Sequence, residues 1–261
     1  MAGYRELLED EVLAAWRSHR IVLVCALFVL IGVVTPVVTR YLAELSRLLA
    51  GPDAELGLVE TGVADVIDAL VRNLGQVGML PAVLLAMGSI AGERERGRLG
   101  GVLVRAAPAA VVLAKAVAVA MILALATGLA AFAAWLYATL LFGGQPPLPW
   151  IQLAVFVWLW LVVAASITVL GSAFAPTPMG AAAVGVAGLA DFQLASAVPT
   201  LNLWLPTGLL EVARAAAMEE VSPDLDPGVT IAVSLIVMVL ALVIAWLRLR
   251  RESPSPGPTD A

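Results

Sequence analysis

The 261-residue chain is 61% hydrophobic and only 13% charged, with a net charge of −5. A soluble domain carries about 25% charged residues, and here the apolar residues run in blocks of roughly 20, the length that crosses a hydrocarbon core of about 30 Å as a helix. That excludes an ordinary soluble domain, and the lack of period-two alternation argues against a membrane β-barrel, leaving an all-α membrane bundle.

In chain order, Tyr4–His19 reads as an amphipathic helix, with Tyr4, Leu7, Leu8, Val12 and Trp16 on one face and acidic residues with Arg17 on the other. It fits a helix lying in the membrane interface better than a cytosolic extension of the first span. A first span follows over Ile21–Thr39, with Pro36 near its end and Cys25 as a packing residue. The acidic approach to this span and the lack of a small-residue cleavage site predict a retained helix, not a leader. The linker 40–73 mixes charges and predicts two short amphipathic helices broken at Gly51-Pro52-Asp53. A second span is expected over Leu74–Ala91, and then comes the densest charge cluster, Gly92-Glu93-Arg94-Glu95-Arg96-Gly97-Arg98. The apolar run Ala109–Leu141 exceeds one crossing, so its start is assigned to the preceding loop. A turn at Gly143–Pro147 leads to a fourth span over Trp150–Phe174, and the uncharged break Ala175–Pro178 to a fifth over Gly180–Val198. An acidic segment, 199–227, precedes the last span, Val229–Leu247. The Ser/Pro/Gly-rich tail 248–261, opening on Arg248, Arg250 and Arg251, reads as disordered. The expected domains are thus an interfacial helix 1–20, a six-span region 21–247 with external loops 40–73 and 199–227 and a charged loop 92–108, and the tail.

Lysine and arginine favour the cytosolic side of membrane proteins. With the N-terminus inside, eleven of the 15 Lys and Arg residues lie on that side and four (Arg40, Arg47, Arg72, Arg214) outside. Six spans with both termini cytosolic satisfy the rule. Five would put the Arg248 cluster outside.

Few devices for catalysis are present. His19 is the one histidine and Lys115 the one lysine. Neither a two-histidine zinc motif nor a phosphate-binding loop can be built from them, so no intrinsic catalysis and no bound cofactor or metal is expected. The cluster Glu93–Arg98 is more telling. Arginines alone would serve topology, whereas alternating acid and base on a short helix suits docking to another protein's charged groove.

The stretch Met87–Leu103, MGSIAGERERGRLGGVL, resembles the loop after the second span of ABC-2 type transporter permeases, where an acidic/Arg cluster runs into glycine and a proline and a lysine follow, here Pro108 and Lys115. Arg98 stands where that family commonly has threonine. The resemblance implies a type V exporter-like fold: an N-terminal elbow helix, six spans, a helical first external loop and a re-entrant segment before the last span. It implies a permease subunit of the prokaryotic cell membrane, a second copy or paralogue as dimer partner, and a separate ATPase subunit that binds the ATP and magnesium. The loop would be the coupling helix, with Glu93, Arg94, Glu95 and Arg96 as contacts and Gly97 allowing the sharp exit. Arg17 and Arg20 would add to that contact.

Asp191 falls inside the fifth span, where an ionisable group costs about 2.5–3.5 kcal/mol. With Gln193 nearby it would line a translocation path or accept hydrogen bonds at a dimer interface. Gly180, Ala181, Gly185 and Gly188 allow close helix approach and favour the interface. Trp150 and Trp204 belong to interfacial belts, while Trp158 and Trp160 lie deeper, facing lipid or a cavity. Two other functions fit the bulk features. An ion-coupled secondary transporter would need more intramembrane charges and internal repeats, and a non-transporting scaffold would leave the Glu93–Arg98 cluster as topology alone. Nothing in the composition points to nucleic acid, and the cargo is not encoded legibly.

Overall fold

The computed structural model describes residues 4–50, 62–196, 204–219 and 226–252, with the backbone alone for 43–50. The described residues are helical throughout, and six of the helical segments are long and apolar enough to span a membrane.

Helix α1 (Tyr4–Arg17) ends at a tight elbow, Ser18–His19, where His19 takes a left-handed conformation with φ 58°. Helix α2 (Arg20–Ala50) carries the first span and runs past its expected end at Thr39. The expected break at Gly51–Asp53 lies outside the described residues. Helices α3 (Val63–Gln76) and α4 (Met79–Met87) together make the second span. The amphipathic helix expected from Val63, Val66, Ile67 and Leu70 is present as α3, its apolar face buried in the core, and it continues past Leu74. The residues between α3 and α4 include Gly78, and Pro81 has no N–H to offer the Val77 carbonyl, which Leu80 takes at 3.2 Å instead. A buried Trp160 indole N–H donates to the Gly75 carbonyl at 3.1 Å beside the same break.

The charged loop is two short helices, α5 (Ala91–Glu95) and α6 (Leu99–Arg105). The long helices that follow mostly open on proline, whose fixed φ and missing N–H suit a first turn: α7 (Pro108–Phe142), α8 (Pro147–Phe174), α9 (Pro178–Ser196) and α11 (Pro227–Glu252). Asp226 caps α11, accepting from the Gly228 N–H at 2.8 Å. Two expectations fail here. Helix α7 is one unbroken rod of 35 residues, about 52 Å long, so its start is not loop. Helix α11 continues to Glu252, so 248–252 is helix and not disordered tail. Between α9 and α11 the acidic segment holds α10 (Gly208–Met218), which buries Leu209, Val212 and Ala213.

Helix α8 is the hub, packing against α3, α4, α5, α7, α9, α10 and α11. Helix α2 lies along α7, and Asn73 of α3 donates to Thr35 of α2 at 3.1 Å. Helices α9 and α11 are peripheral and largely uncovered by their own chain.

The α2–α7 crossing depends on a glycine. A Cβ on Gly32 would stand 2.3 Å from the Ala130 backbone oxygen, whereas one on Gly128 meets no atom within 4 Å. Gly32→Ala should therefore destabilise the fold by about 1–3 kcal/mol through overpacking and Gly128→Ala should not, as read by the unfolding midpoint of purified protein in detergent.

Candidate functional site: the charged loop and its seat

The loop sits at the cluster end of the bundle, where α4, α5, the last turn of α8, the first of α9 and the end of α11 meet. Its seat is built from two side chains. Ser172, on the last turn of α8, uses its hydroxyl fully. It accepts from the N–H groups of Ile90 at 3.0 Å and Ala91 at 2.8 Å, and donates to the Met87 carbonyl at 3.0 Å. One hydroxyl thus closes the end of α4 and the start of α5.

Arg94 turns back under the loop. One guanidinium nitrogen donates to the carbonyls of Ser172 at 3.2 Å and Ala175 at 2.6 Å, and the other to Ala173 at 2.9 Å and to the Glu252 carboxylate at 2.9 Å. The last carbonyls of a helix have no intrahelical partner and carry its partial negative charge. Arg94 satisfies them at the end of the hub helix. Glu252 also pairs with Arg248 at 2.8 Å, one turn back on α11. Arg94 therefore joins α5, α8 and α11.

Glu93 also faces inward, pairing with Arg98 at 3.2 Å and Arg96 at 3.8 Å. Helix α5 then ends in a reversal. Gly97 takes φ 68°, its N–H meets the Arg94 carbonyl at 2.9 Å, and the Arg98 N–H meets the Glu93 carbonyl at 2.8 Å. Paired bonds of this kind around a left-handed residue close a helix end and favour glycine. What the loop presents to the outside is Glu95, Arg96 and Arg98, all exposed.

A second tie holds the elbow helix. Lys115, on the first turns of α7, is 6% exposed and its ammonium donates to the Glu11 carboxylate of α1. A cleft of about 540 Å³ opens between α1, α5–α6 and α7, and Asp10, Glu93, Arg98 and Arg105 line it with this pair. Arg17 and Arg20 are exposed at the elbow.

The fifth-span candidates separate. Gly185 is buried against α8, where a Cβ would stand 2.4 Å from Thr168 Oγ1, and one on Gly188 would meet Ile167 at 3.1 Å. Gly185 and Gly188 let α9 approach α8 of the same chain, and Gly188 stays half-exposed. Asp191 points away from α8 and is exposed, so it does not face the bundle interior, and among the described residues no donor meets it. Gln193 is half-buried, its carbonyl accepting from Ser196 at 2.8 Å. Trp160 is core, and Trp150, near the start of α8, is buried. Among the described residues no three His, Cys, Asp or Glu side chains gather where a metal could bind.

Reasoning from sequence missed Ser172, Glu252 and Glu11. Lys115 was a usable signal, because a lone lysine in an apolar helix needs an acid partner. No family model matches this chain, and no curated protein is detectably similar to it.

Two outcomes are expected. Arg94→Gln should cost about 2–3 kcal/mol, since it strips charged hydrogen bonds from three carbonyls and a carboxylate, while Arg96→Gln should stay within about 0.5 kcal/mol; denaturant midpoints compare them. Glu11→Lys should free α1 to added protease, and the swap Glu11→Lys with Lys115→Glu should restore protection, with a coupling of about 0.5–3 kcal/mol.

Proposed function

We propose that the chain is the membrane subunit of an ATP-driven transporter of the ABC-2 permease kind, and that a separate ATPase subunit docks on the loop Glu93–Arg98. The observation that carries this reading is the form of the loop. It is a short helix of mixed charge, bolted through Ser172 and Arg94 to the end of the hub helix, with Glu95, Arg96 and Arg98 outward. A loop that only set topology would need neither outward acid nor a rigid seat. A loop that passes force needs both, because a push on a floppy segment would not reach the spans.

The labour within the loop is then divided. Glu95 and Arg96, with Arg98 beside them, recognise the partner. Arg94 and Glu93 hold the loop's shape, and Gly97 permits its reversal. Motion of α5 travels to α8 and α11 through Arg94, and to α1 by way of α7 through the pair Glu11–Lys115. In this reading the loop, both termini and the Arg248–Arg251 cluster lie on the cytosolic side of a prokaryotic cell membrane, as the distribution of basic residues favours. ATP and magnesium belong to the partner.

A second copy or close paralogue completes the path. Helix α9 is largely uncovered and carries Asp191 about 20 Å along from Pro178. A carboxylate facing lipid there would cost about 2.5–3.5 kcal/mol, so a donor from a neighbouring subunit is the economical partner. Export is the direction favoured, with an apolar or amphipathic cargo.

The test is co-purification with a separately encoded ATPase subunit of the same organism. The double reversal Glu95→Lys with Arg96→Glu should weaken the complex about tenfold or more, since like charges across an interface cost several kcal/mol, and should abolish stimulated ATP hydrolysis with the fold intact. Unchanged binding and turnover would overturn the proposal.

A further inference from the structure

Helices α7 and α8 enclose a groove of about 460 Å³. It lies toward the Gly143–Pro146 turn, at the opposite end of the bundle from the charged loop. Its floor on α7 is small, with Thr127, Gly128 and Ala131, and its walls include Phe132, Trp135 and Trp158. The lining spans Ala124 to Trp135 on α7, about 16 Å along the helix.

The polar groups along its length are already satisfied inside the protein. The Trp135 indole N–H donates to the Gln145 carbonyl at 2.9 Å, that of Trp158 to the Ala120 carbonyl at 2.9 Å, and the Thr127 hydroxyl to the Leu123 carbonyl at 2.6 Å. Trp150 differs. It lines the groove and is 3% exposed, yet among the described residues nothing accepts from its indole N–H. Among the described residues the fully buried side-chain polar atom without a partner is Thr139 Oγ1, so the Trp150 N–H stays reachable from outside the chain, where a tryptophan N–H normally finds an acceptor.

Depth identifies what supplies that acceptor. Helix α8 has 28 residues, about 42 Å, which matches a bilayer with its interfacial layers at about 40–45 Å. Trp150 is the fourth residue of α8, about 5 Å from its end, in the layer where phospholipid ester carbonyls lie. From there the groove runs inward beside hydrocarbon. An alkyl chain on the apolar walls and one carbonyl at the mouth is the chemistry that fits.

We propose that this groove is a binding site for one acyl chain of a membrane phospholipid, whose ester carbonyl accepts from the Trp150 indole N–H. The site requires only that the bundle sits in a bilayer, so it stands or falls apart from the transport reading.

The test uses the full chain, stripped with detergent and reloaded with dioleoyl phosphatidylglycerol or its diether analogue, with bound lipid counted by native mass spectrometry. The wild type should hold one lipid per chain and prefer the ester by about 2- to 10-fold, the value of one hydrogen bond. Trp150→Phe should keep the lipid and lose the preference. Gly128→Leu, whose Cβ has open space, should lose the lipid while keeping the wild-type near-ultraviolet circular dichroism, and Ala124→Leu is the second filling variant if that spectrum changes. The proposal is overturned if the wild type holds no lipid, if ester and ether bind alike, or if both filled variants bind as the wild type does. A change from dimer to monomer on filling, with no lipid lost, would assign the groove to a second copy and also overturn it.

Discussion

In hydrocarbon no water completes an unpaired backbone group, and each one left open costs several kcal/mol. Every interruption of a helix in this bundle therefore has to be closed from within. At the break between α3 and α4 the Trp160 indole meets the Gly75 carbonyl. Between α4 and α5 the Ser172 hydroxyl serves two N–H groups and a carbonyl. The exposed carbonyls at the end of α8 fall to Arg94. Two of these three closures meet on one turn of the hub helix. Closing α8 and seating the charged loop are one structural act.

That coincidence bears on how the loop works. A cluster of alternating charge looks uniform in sequence, but its residues do opposite jobs. Arg94 spends its donors on the chain's own carbonyls and on Glu252, and Glu93 turns to Arg96 and Arg98. Glu95 and the exposed faces of Arg96 and Arg98 remain for recognition. Removing an inward residue alters the spans directly, whereas removing an outward one leaves them intact. The two classes separate stability from partner binding, a separation that a loop serving topology alone would lack.

The long-range features were legible because they rest on one-dimensional signals. Apolar block length marked the spans, although the later long helices open at the prolines 108, 147, 178 and 227, one to three residues before the expected starts. The Gly97 reversal was readable because glycine suits a left-handed residue after a short helix. What failed were judgements that needed a partner. Val66, Ile67 and Leu70 repeat with helical period, and period alone does not say whether the covering is lipid, water or α10. Lys115 counts as a topology charge until Glu11 is placed beside it, and α1 also offers Glu6, Glu9 and Asp10 at neighbouring turns. The small residues of α9 show that something packs closely there. They do not show whether it is Thr168 of the same chain or a second copy.

Among the described residues, Asp191 and Trp150 both lack a partner for their polar group, and their chemistry is opposite. Asp191 is an acceptor on the uncovered face of α9, while Trp150 is a donor at the mouth of the α7–α8 groove. Lipid esters bring acceptors and no donors, so lipid can complete the tryptophan and not the carboxylate. Asp191 needs a donor that the acyl region does not contain, and a neighbouring subunit surface can provide one. The surface of the bundle is thus divided by hydrogen-bond sense, with the groove side suited to lipid and the α9 side to a subunit. A dimer joined through α9 would leave the groove open to the bilayer, so both partners can be held at once.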